Sequence, residues 1–516
     1  MKTYLLLLFT MVAPWIFISC EDEGDNHLPA NQEEIPSSIS PVTNLRAEST
    51  KNENEIKVEW TNPNDKKVRK VELTYHFKET INNYSQSNLP ILIDVIRGTG
   101  DCYLLKVSEY AIYEIILVAI DKDGQRSTPE TITASPRNPE EPQAPDLEFL
   151  KRADILMTSV MNLFFGKSAR DCWNTKYPNA TGPYWDGDAV VWGQGAGLSG
   201  FVALREASIG VKECEAKYAG MTNRMFESIN RFITTDNERQ AYAVYPANGN
   251  QRFYDDNVWI GLDMAELHIQ TQEQRYLDKA IMVWNYLMTG NDDVCGGGIY
   301  WREIPKYTNK HTCSTAPTAV LGCKLYQITK EKKYLDEAVK LYRWLQKYLQ
   351  DPTDHLYWDN IRSSDMVVGK DKFSYNSGQP MLAACLLYKI TKEEKYLTDA
   401  QQIAYSAYRK WFSLFKSEVL NEDIAIINPG GSAWFYAVLF RGFIELYKID
   451  KNREYVTAYE KTLKNAWLSN CHNRENNLLN HNDFRGVNIQ SSWEILHEGA
   501  CVEMLARLAS LERDGL

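Results

Sequence analysis

After its first twenty residues the chain has no run of eighteen uninterrupted apolar residues, so nothing beyond that point reads as a membrane-crossing helix. Paired Cys-x-x-Cys spacing is also missing. Ten cysteines, from Cys20 and Cys102 through Cys172, Cys214, Cys295, Cys313, Cys323, Cys385 and Cys471 to Cys501, are scattered along 516 residues. Neither a zinc site nor a disulfide framework is legible in them. Cys323 and Cys385 fall in apolar helical text and read as buried thiols. The eight histidines contain no His-Glu-x-x-His, and His311, His355 and His497 read as structural or ligand-contacting residues rather than metal ligands. The one glycine run, Gly296-Gly-Gly298, lacks the Lys-Ser/Thr that makes a phosphate loop. A formal net charge of −11 argues against nucleic acid or an anionic polymer as partner and suits a neutral one. No metal and no cofactor is expected.

What the chain does have is a stretch of acids and aromatics, Gln251-Arg-Phe-Tyr-Asp-Asp-Asn-Val-Trp-Ile-Gly-Leu-Asp-Met-Ala-Glu266. From Val258 on, Ile260, Leu262, Met264, Ala265 and Leu267 give too broad an apolar surface for an exposed helix, which predicts an enclosed one. Asp255 and Asp256 stand at its mouth. An apolar surround and a like-charged neighbour both raise a carboxyl pKa, so one acid can keep its proton while the other stays anionic. Sugar cleavage uses such a pair: one attacks or stabilises, the other donates a proton. Asp at a helix start also commonly caps backbone amides, and Asp292-Asp293, in a turn-like setting, is an internal example of a pair without chemistry.

Residues 1–20 read as a targeting segment. Lys2 and the apolar run Tyr4 to Ile18 lead into Phe17-Ile-Ser-Cys20, which resembles a bacterial lipoprotein signal with Cys20 acylated. Lipid on Cys20 anchors a protein to a membrane without spanning it. Residues 21–40 form an acidic, flexible tether opening with Glu21-Asp-Glu-Gly-Asp25. An acidic cluster at that place resembles a surface-export signal, and the expectation is an outer-membrane lipoprotein facing the cell exterior.

Residues 41–137 have strand character. Glu55-Ile-Lys-Val-Glu-Trp60 and Lys70-Val-Glu-Leu-Thr-Tyr-His-Phe77 alternate with period two, and Tyr113 to Gly124 is an apolar strand running into a turn. A small all-β sandwich follows, and Pro41-Val-Thr-Asn-Leu, Trp60 and Tyr113 through Ser127 resemble a fibronectin type III domain. Its expected role is that of a spacer. Residues 138–146, rich in Pro and Glu, form a linker.

Residues 147–516 are helical and repetitive. Leu267-His-Ile-Gln-Thr-Gln-Glu-Gln-Arg-Tyr276 recurs as Leu325 to Tyr334, Leu387 to Tyr396 and Leu446 to Tyr455, with successive copies starting 58, 62 and 59 residues apart. Each copy joins a nearly all-apolar helix to an amphipathic one, which makes two concentric layers. At roughly 60 residues per hairpin the region holds six, an all-α (α/α)6 barrel. Ala189 to Ile233 and Trp493 to Leu511 are its less regular members.

Inner helices of such a barrel run parallel, so the loops ahead of them gather at one end. Those loops carry Tyr184-Trp-Asp-Gly-Asp188, Trp192-Gly-Gln194, Tyr254-Asp-Asp256, Gly298-Ile-Tyr-Trp301, Trp358-Asp359, Tyr375-Asn-Ser-Gly-Gln379 and Pro429-Gly-Gly-Ser-Ala-Trp434. Aromatic faces stack on sugars and amides bind hydroxyls, so acids among them mark a carbohydrate site. The substrate-binding candidates are Trp192, Gln194, Tyr254, Trp301, Asp359, Tyr375, Asn376 and Trp434.

Phe253-Tyr-Asp-Asp-Asn-Val-Trp, Gly296-Gly-Gly-Ile-Tyr-Trp301, Tyr375-Asn-Ser-Gly378 and the hairpin repeats resemble glycoside hydrolase family 76, whose members are endo-acting α-1,6-mannanases. The resemblance spans roughly Leu147 to Leu516. It implies a retaining mechanism with Asp255 as nucleophile and Asp256 as general acid/base, with Asp359 binding sugar in the cleavage subsite. It also implies α-mannan as the partner of a chain expected to act as a monomer. Family members often carry Tyr-Asn-Gln-Gly where Tyr375-Asn-Ser-Gly378 stands, and His311-Thr-Cys-Ser-Thr315 replaces Asn-rich text, which places the subsite contacts in question. Two alternatives stay open: another (α/α)6 enzyme, such as an unsaturated-uronide hydrolase or a sugar epimerase, and a non-catalytic surface glycan-binding lipoprotein.

Overall fold

A computed structural model of the chain describes residues 39–515 apart from 51, 53, 78–89, 108–110, 137–146, 168–169, 179–186, 246–250, 304–307 and 488. The leader with Cys20, the tether up to residue 38 and the linker 138–146 lie outside the described residues, as do Tyr184, Trp185 and Asp186 of the first rim loop. The chain divides into two compact units, Met1–Ala144 and Pro145–Leu516.

The first unit holds β1 (Thr43–Ser49), β2 (Glu55–Thr61), β3 (Val68–Phe77), β4 (Ile91–Asp94), β5 (Gly100–Lys106), β6 (Tyr113–Asp121) and β7 (Glu130–Ala134). They pair antiparallel in two sheets, ordered β1-β2-β5 and β4-β3-β6-β7. Period two puts alternate residues on one face. Ile56, Val58 and Trp60 of β2, Val71 and Leu73 of β3, and Ile115 and Leu117 of β6 therefore share a single buried core. The Trp60 indole N–H, which could not be left dry and unpaired, donates to Asn62 Oδ1 at 2.7 Å.

The second unit is built from helices α1 (Glu148–Phe164), α2 (Val191–Ser208), α3 (Lys212–Asn230), α4 (Tyr254–Thr271), α5 (Gln274–Met288), α6 (Thr312–Thr329), α7 (Lys332–Tyr348), α8 (Ser374–Thr391), α9 (Glu394–Trp411), α10 (Ala433–Asp450), α11 (Glu454–Leu468) and α12 (Ile495–Arg513). The even-numbered helices are buried nearly all round, and the odd-numbered ones bury one face. Contacts run α2–α4–α6–α8–α10–α12 and back to α2, a closed cyclic order. The sixth pair is not a sequential hairpin. Helix α12 packs on α1, so the two ends of the unit meet, and Phe149 N–H donates to Glu512 Oε2 at 2.9 Å.

The repeat is the turn between layers. Gln272, Lys330, Lys392 and Lys451 end α4, α6, α8 and α10 in the left-handed conformation, with φ of 61°, 63°, 62° and 61°. Each returns its N–H to the carbonyl four residues back. Thr271, Thr329 and Thr391 hydroxyls then accept the N–H of Glu273, Glu331 and Glu393. Asp450 does the same for Asn452.

N-terminal ends of α2, α4, α6, α8 and α10 surround one cleft, while Glu206, Glu266, Lys324, Lys448 and Arg507, from the other ends of their helices, line a smaller cavity. That distribution makes these helices parallel. The smaller cavity is closed by paired charges: Lys324 to Glu266 at 2.5 Å, and Arg441 bidentate to Glu503 at 2.7 and 2.8 Å. Short strands also occur within the helical unit. Asn309–His311, Asn360–Arg362 and Val368–Gly369 form one antiparallel sheet beside the cleft.

Candidate active site

The cleft measures about 520 Å³ and is lined by Val190, Trp192, Val244, Phe253, Asp255, Asp256, Trp259, Trp301, His311, Cys313, Asp359, Asn360, Phe373, Tyr375, Trp434 and Phe435. A volume of that size admits a few sugar rings and is typical of ligand sites.

Successive residues on a helix turn by 100°, which sorts the Tyr-Asp-Asp-Asn motif at the start of α4 into separate roles. Tyr254 faces the outer layer. Its ring stacks on Tyr286 at 4.8 Å between centroids, and its hydroxyl meets Thr289 Oγ1 at 3.2 Å. Gly290 lies against that ring so closely that a Cβ there would sit 2.7 Å from it. Asn257 faces the loop before the helix. Its Oδ1 accepts Tyr242 N–H at 2.7 Å, and its Nδ2 donates to Tyr242 O at 2.9 Å and Phe253 O at 2.7 Å. Between these anchors Asp255 and Asp256 line the cleft. The N-cap position is Phe253, which makes no side-chain cap.

Asp255 Oδ2 accepts the Trp301 indole N–H at 2.9 Å and lies 3.7 Å from Cys313 Sγ. Its Oδ1 is buried and has no hydrogen-bond partner among the described residues. Burial pushes the Asp255 carboxyl up to about 6, against the hydrogen bond from Trp301. Asp256 stands well above the usual carboxylate range, first through burial and then through the charge of Asp255 beside it. Both acids thus hold a proton more readily than a free carboxylate, and the charge of one adds to the rise of the other.

Across the cleft, Asp359 is held by two amides. Asn376 Nδ2 donates to Oδ1 at 2.9 Å and Asn360 Nδ2 to Oδ2 at 2.8 Å. His311 Nδ1 is 3.6 Å from Oδ2. Burial lowers the imidazole to about 4, outweighing the Asp359 charge, so His311 is neutral at pH 7. Tyr375 stacks on Phe435 at 4.2 Å and 29°, with Phe373 adjoining, which gives the cleft a flat apolar wall. Trp301 packs edge-on to Phe253 and leans on His311.

Of the residues expected to bind substrate, the structure brings Trp192, Trp301, Asp359, Tyr375 and Trp434 to the cleft beside Asp255 and Asp256. Trp434 is almost wholly buried, edge-on to Trp259 at 5.7 Å. Three expectations are corrected. Gln194, two residues beyond Trp192 and so on the far side of α2, is buried. Its amide clamps Trp173 N–H at 3.0 Å, Trp173 O at 2.8 Å and Ala189 O at 3.0 Å. Tyr254 is the anchor just described. Asn376 is fully buried and reaches Asp359, not the cleft. Phe435, Phe373, Cys313 and Asn360 were missed: none stands out in sequence except as the neighbour of a residue that does.

The model of glycosyl hydrolase family 76 matches residues 148–512. A family 76 glycoside hydrolase from a bovine Bacteroides thetaiotaomicron strain is 44% identical, with 91% of this chain and 99% of that chain covered at a TM-score of 0.68. The family 76 mannosidase Bt3792 of Bacteroides thetaiotaomicron VPI-5482 is 51% identical over 71% of this chain and all of that one, at 0.69. An inactive variant of the α-1,6-mannanase of Salegentibacter sp. HEL1_6, with two consecutive aspartates replaced by alanine and α-1,6-mannotetrose bound, is 21% identical over 70% and 99%, at 0.58, a likeness of fold. The chain spans 37% and 36% of the length of the curated relatives it matches. With the family model covering nearly the whole helical unit and two close structural relatives bearing the same family name, the chain belongs to glycosyl hydrolase family 76 and is a glycosidase.

Proposed function

We propose that the chain is a retaining endo-α-1,6-mannanase. The observation that carries this reading is a pair of adjacent acids in the first turn of α4 that both line the cleft, both raised by burial, opposite Asp359 and among aromatic faces. Asp255 attacks the anomeric carbon as Asp256 gives its proton to the departing glycosidic oxygen. Asp256 then takes a proton from the water that releases the sugar from Asp255. Asp359, fixed by Asn360 and Asn376, accepts hydrogen bonds from hydroxyls of the sugar in the cleavage subsite. Tyr375, Phe435, Trp192 and Trp301 supply the apolar faces for ring stacking. The linkage comes from the α-1,6-mannanase relative, whose ligand is an α-1,6-linked mannose chain.

The same proposal takes the closed ring of even-numbered helices within an odd-numbered layer as the (α/α)6 barrel. It takes the β1-β2-β5 and β4-β3-β6-β7 sheets as a fibronectin type III-like sandwich. From sequence alone it takes the chain as a monomer tethered by lipid on Cys20 to the outer face of the outer membrane. Product NMR during early hydrolysis of linear α-1,6-mannan tests the chemistry. Reducing ends released first as α-anomers are expected, and β-anomers released first would mean inversion.

A further inference from the structure

Cys313 is a cleft residue to which the mechanism above gives no task. It lies in the first turn of α6, is 4% exposed, and lines the cleft. Its Sγ is 3.7 Å from Asp255 Oδ2, the oxygen that also accepts the Trp301 indole N–H at 2.9 Å. Asp255 Oδ1, by contrast, is buried without a hydrogen-bond partner among the described residues. Two side-chain donors thus converge on one carboxylate oxygen and none reaches the other.

We propose that Cys313 is a positioning residue: with Trp301 it holds Oδ2 of Asp255, so that Oδ1 is the oxygen that meets the anomeric carbon. This rests on Asp255 being the nucleophile. Burial and the charges of Asp255 and Asp359 raise the thiol well above its ordinary range, so it is present as S–H and can donate. In the first step the Oδ1–C1 bond forms and the bond from C1 to the leaving oxygen breaks, with the proton supplied by Asp256. Oδ2 becomes the ester carbonyl. In the second step water oxygen bonds C1, its proton passes to Asp256, and the Oδ1–C1 pair returns to Asp255. Donors on Oδ2 stabilise the anion that re-forms, and a thiol, a weak donor, does so without draining the nucleophile of charge in the first step. The titratable groups facing Asp255 are Asp256 on α4, His311 ahead of α6, Asp359 ahead of α8 and Tyr375 on α8.

The pH dependence of kcat/KM on linear α-1,6-mannan, for parent, C313A, C313S and D255N, tests this. Losing a donor to the carboxylate should move the acid limb of C313A up by about half a pH unit and lower kcat about tenfold with KM within twofold. C313S keeps an O–H donor and should return the limb to the parent's position. A limb for C313A that coincides with the parent's, or a C313S that tracks C313A, overturns the proposal. If D255N itself turns over normally, the underlying mechanism fails instead. An inactive D255N with an unmoved C313A limb removes Cys313 alone.

Discussion

At the scale of single residues, the site works by giving like groups unlike surroundings. Asp255 meets Trp301 and Cys313 on one oxygen, whereas Asp256 makes no side-chain hydrogen bond to any described residue and faces its neighbour's charge. In the proposed mechanism the nucleophile Asp255 must be ionised, so turnover is expected to fall as pH drops through about 6, the value burial gives it. The proposed acid, Asp256, must be protonated, and burial together with the charge of Asp255 raises it, so turnover falls again as Asp256 ionises. A bell-shaped kcat/KM profile with its acid limb near 6 is the expected result, and a limb near 4 would show that burial does not act on Asp255. The acidic pair was legible in sequence because both carboxylates sit where an apolar helix begins. Gln194, Tyr254 and Asn376 were misread because a loop motif looks contiguous in text, while each helical step turns a side chain by 100°.

Elements set the site by holding the first turn of α4 in place. Asn257 ties that turn to Tyr242 and Phe253 with three hydrogen bonds. Replacing it with alanine leaves buried backbone groups unpaired. Asn257→Ala should cost about 1–3 kcal/mol of stability, seen as a lower denaturation midpoint, and kcat should fall at least tenfold because the carboxylates lose their aim. Unchanged kcat in folded Asn257→Ala would mean that α4 is held by packing alone. The hairpin repeat was readable because it is a turn solution used four times, with a left-handed residue at the same place and a side-chain acceptor just before it, Thr in three copies and Asp450 in the fourth. The short sheet carrying His311 and Asn360 was not, since two- and three-residue strands have no periodicity to detect. Nor was the α1–α12 pairing, which joins residues over three hundred positions apart through a contact with no local signature.

Over the whole helical unit, chemistry and stability are placed at opposite ends. The cleft end gathers aromatics around Asp255, Asp256 and Asp359, and the far end is lined mainly by charged groups, among them the Lys324–Glu266 pair and Arg441, which pairs with Glu503. Lys324→Met removes the cation 2.5 Å from Glu266 and leaves that half-buried carboxylate without its hydrogen-bonded cation, with only the charges of Arg507 and Lys448 nearby. A loss of about 2–3 kcal/mol follows, measured by urea unfolding, while kcat/KM of the folded fraction stays at the parent value. Activity loss in excess of unfolding would mean that the two ends are coupled. The layered plan followed from the alternation of all-apolar and amphipathic helices. What composition alone could not supply was the direction of side chains around the rim, which the closed ring determines. Central to all of this is the division of labour between Asp255 and Asp256. It is tested most directly by comparing Asp255→Asn and Asp256→Asn on linear α-1,6-mannan and on an aryl α-mannoside with an activated leaving group, with azide added. Asp255→Asn should lose about four orders of magnitude or more on both. Asp256→Asn should be inactive on mannan yet react with the activated mannoside and yield the α-mannosyl azide. An Asp255→Asn enzyme that turns over like the parent, or a β-azide from Asp256→Asn, would contradict the account.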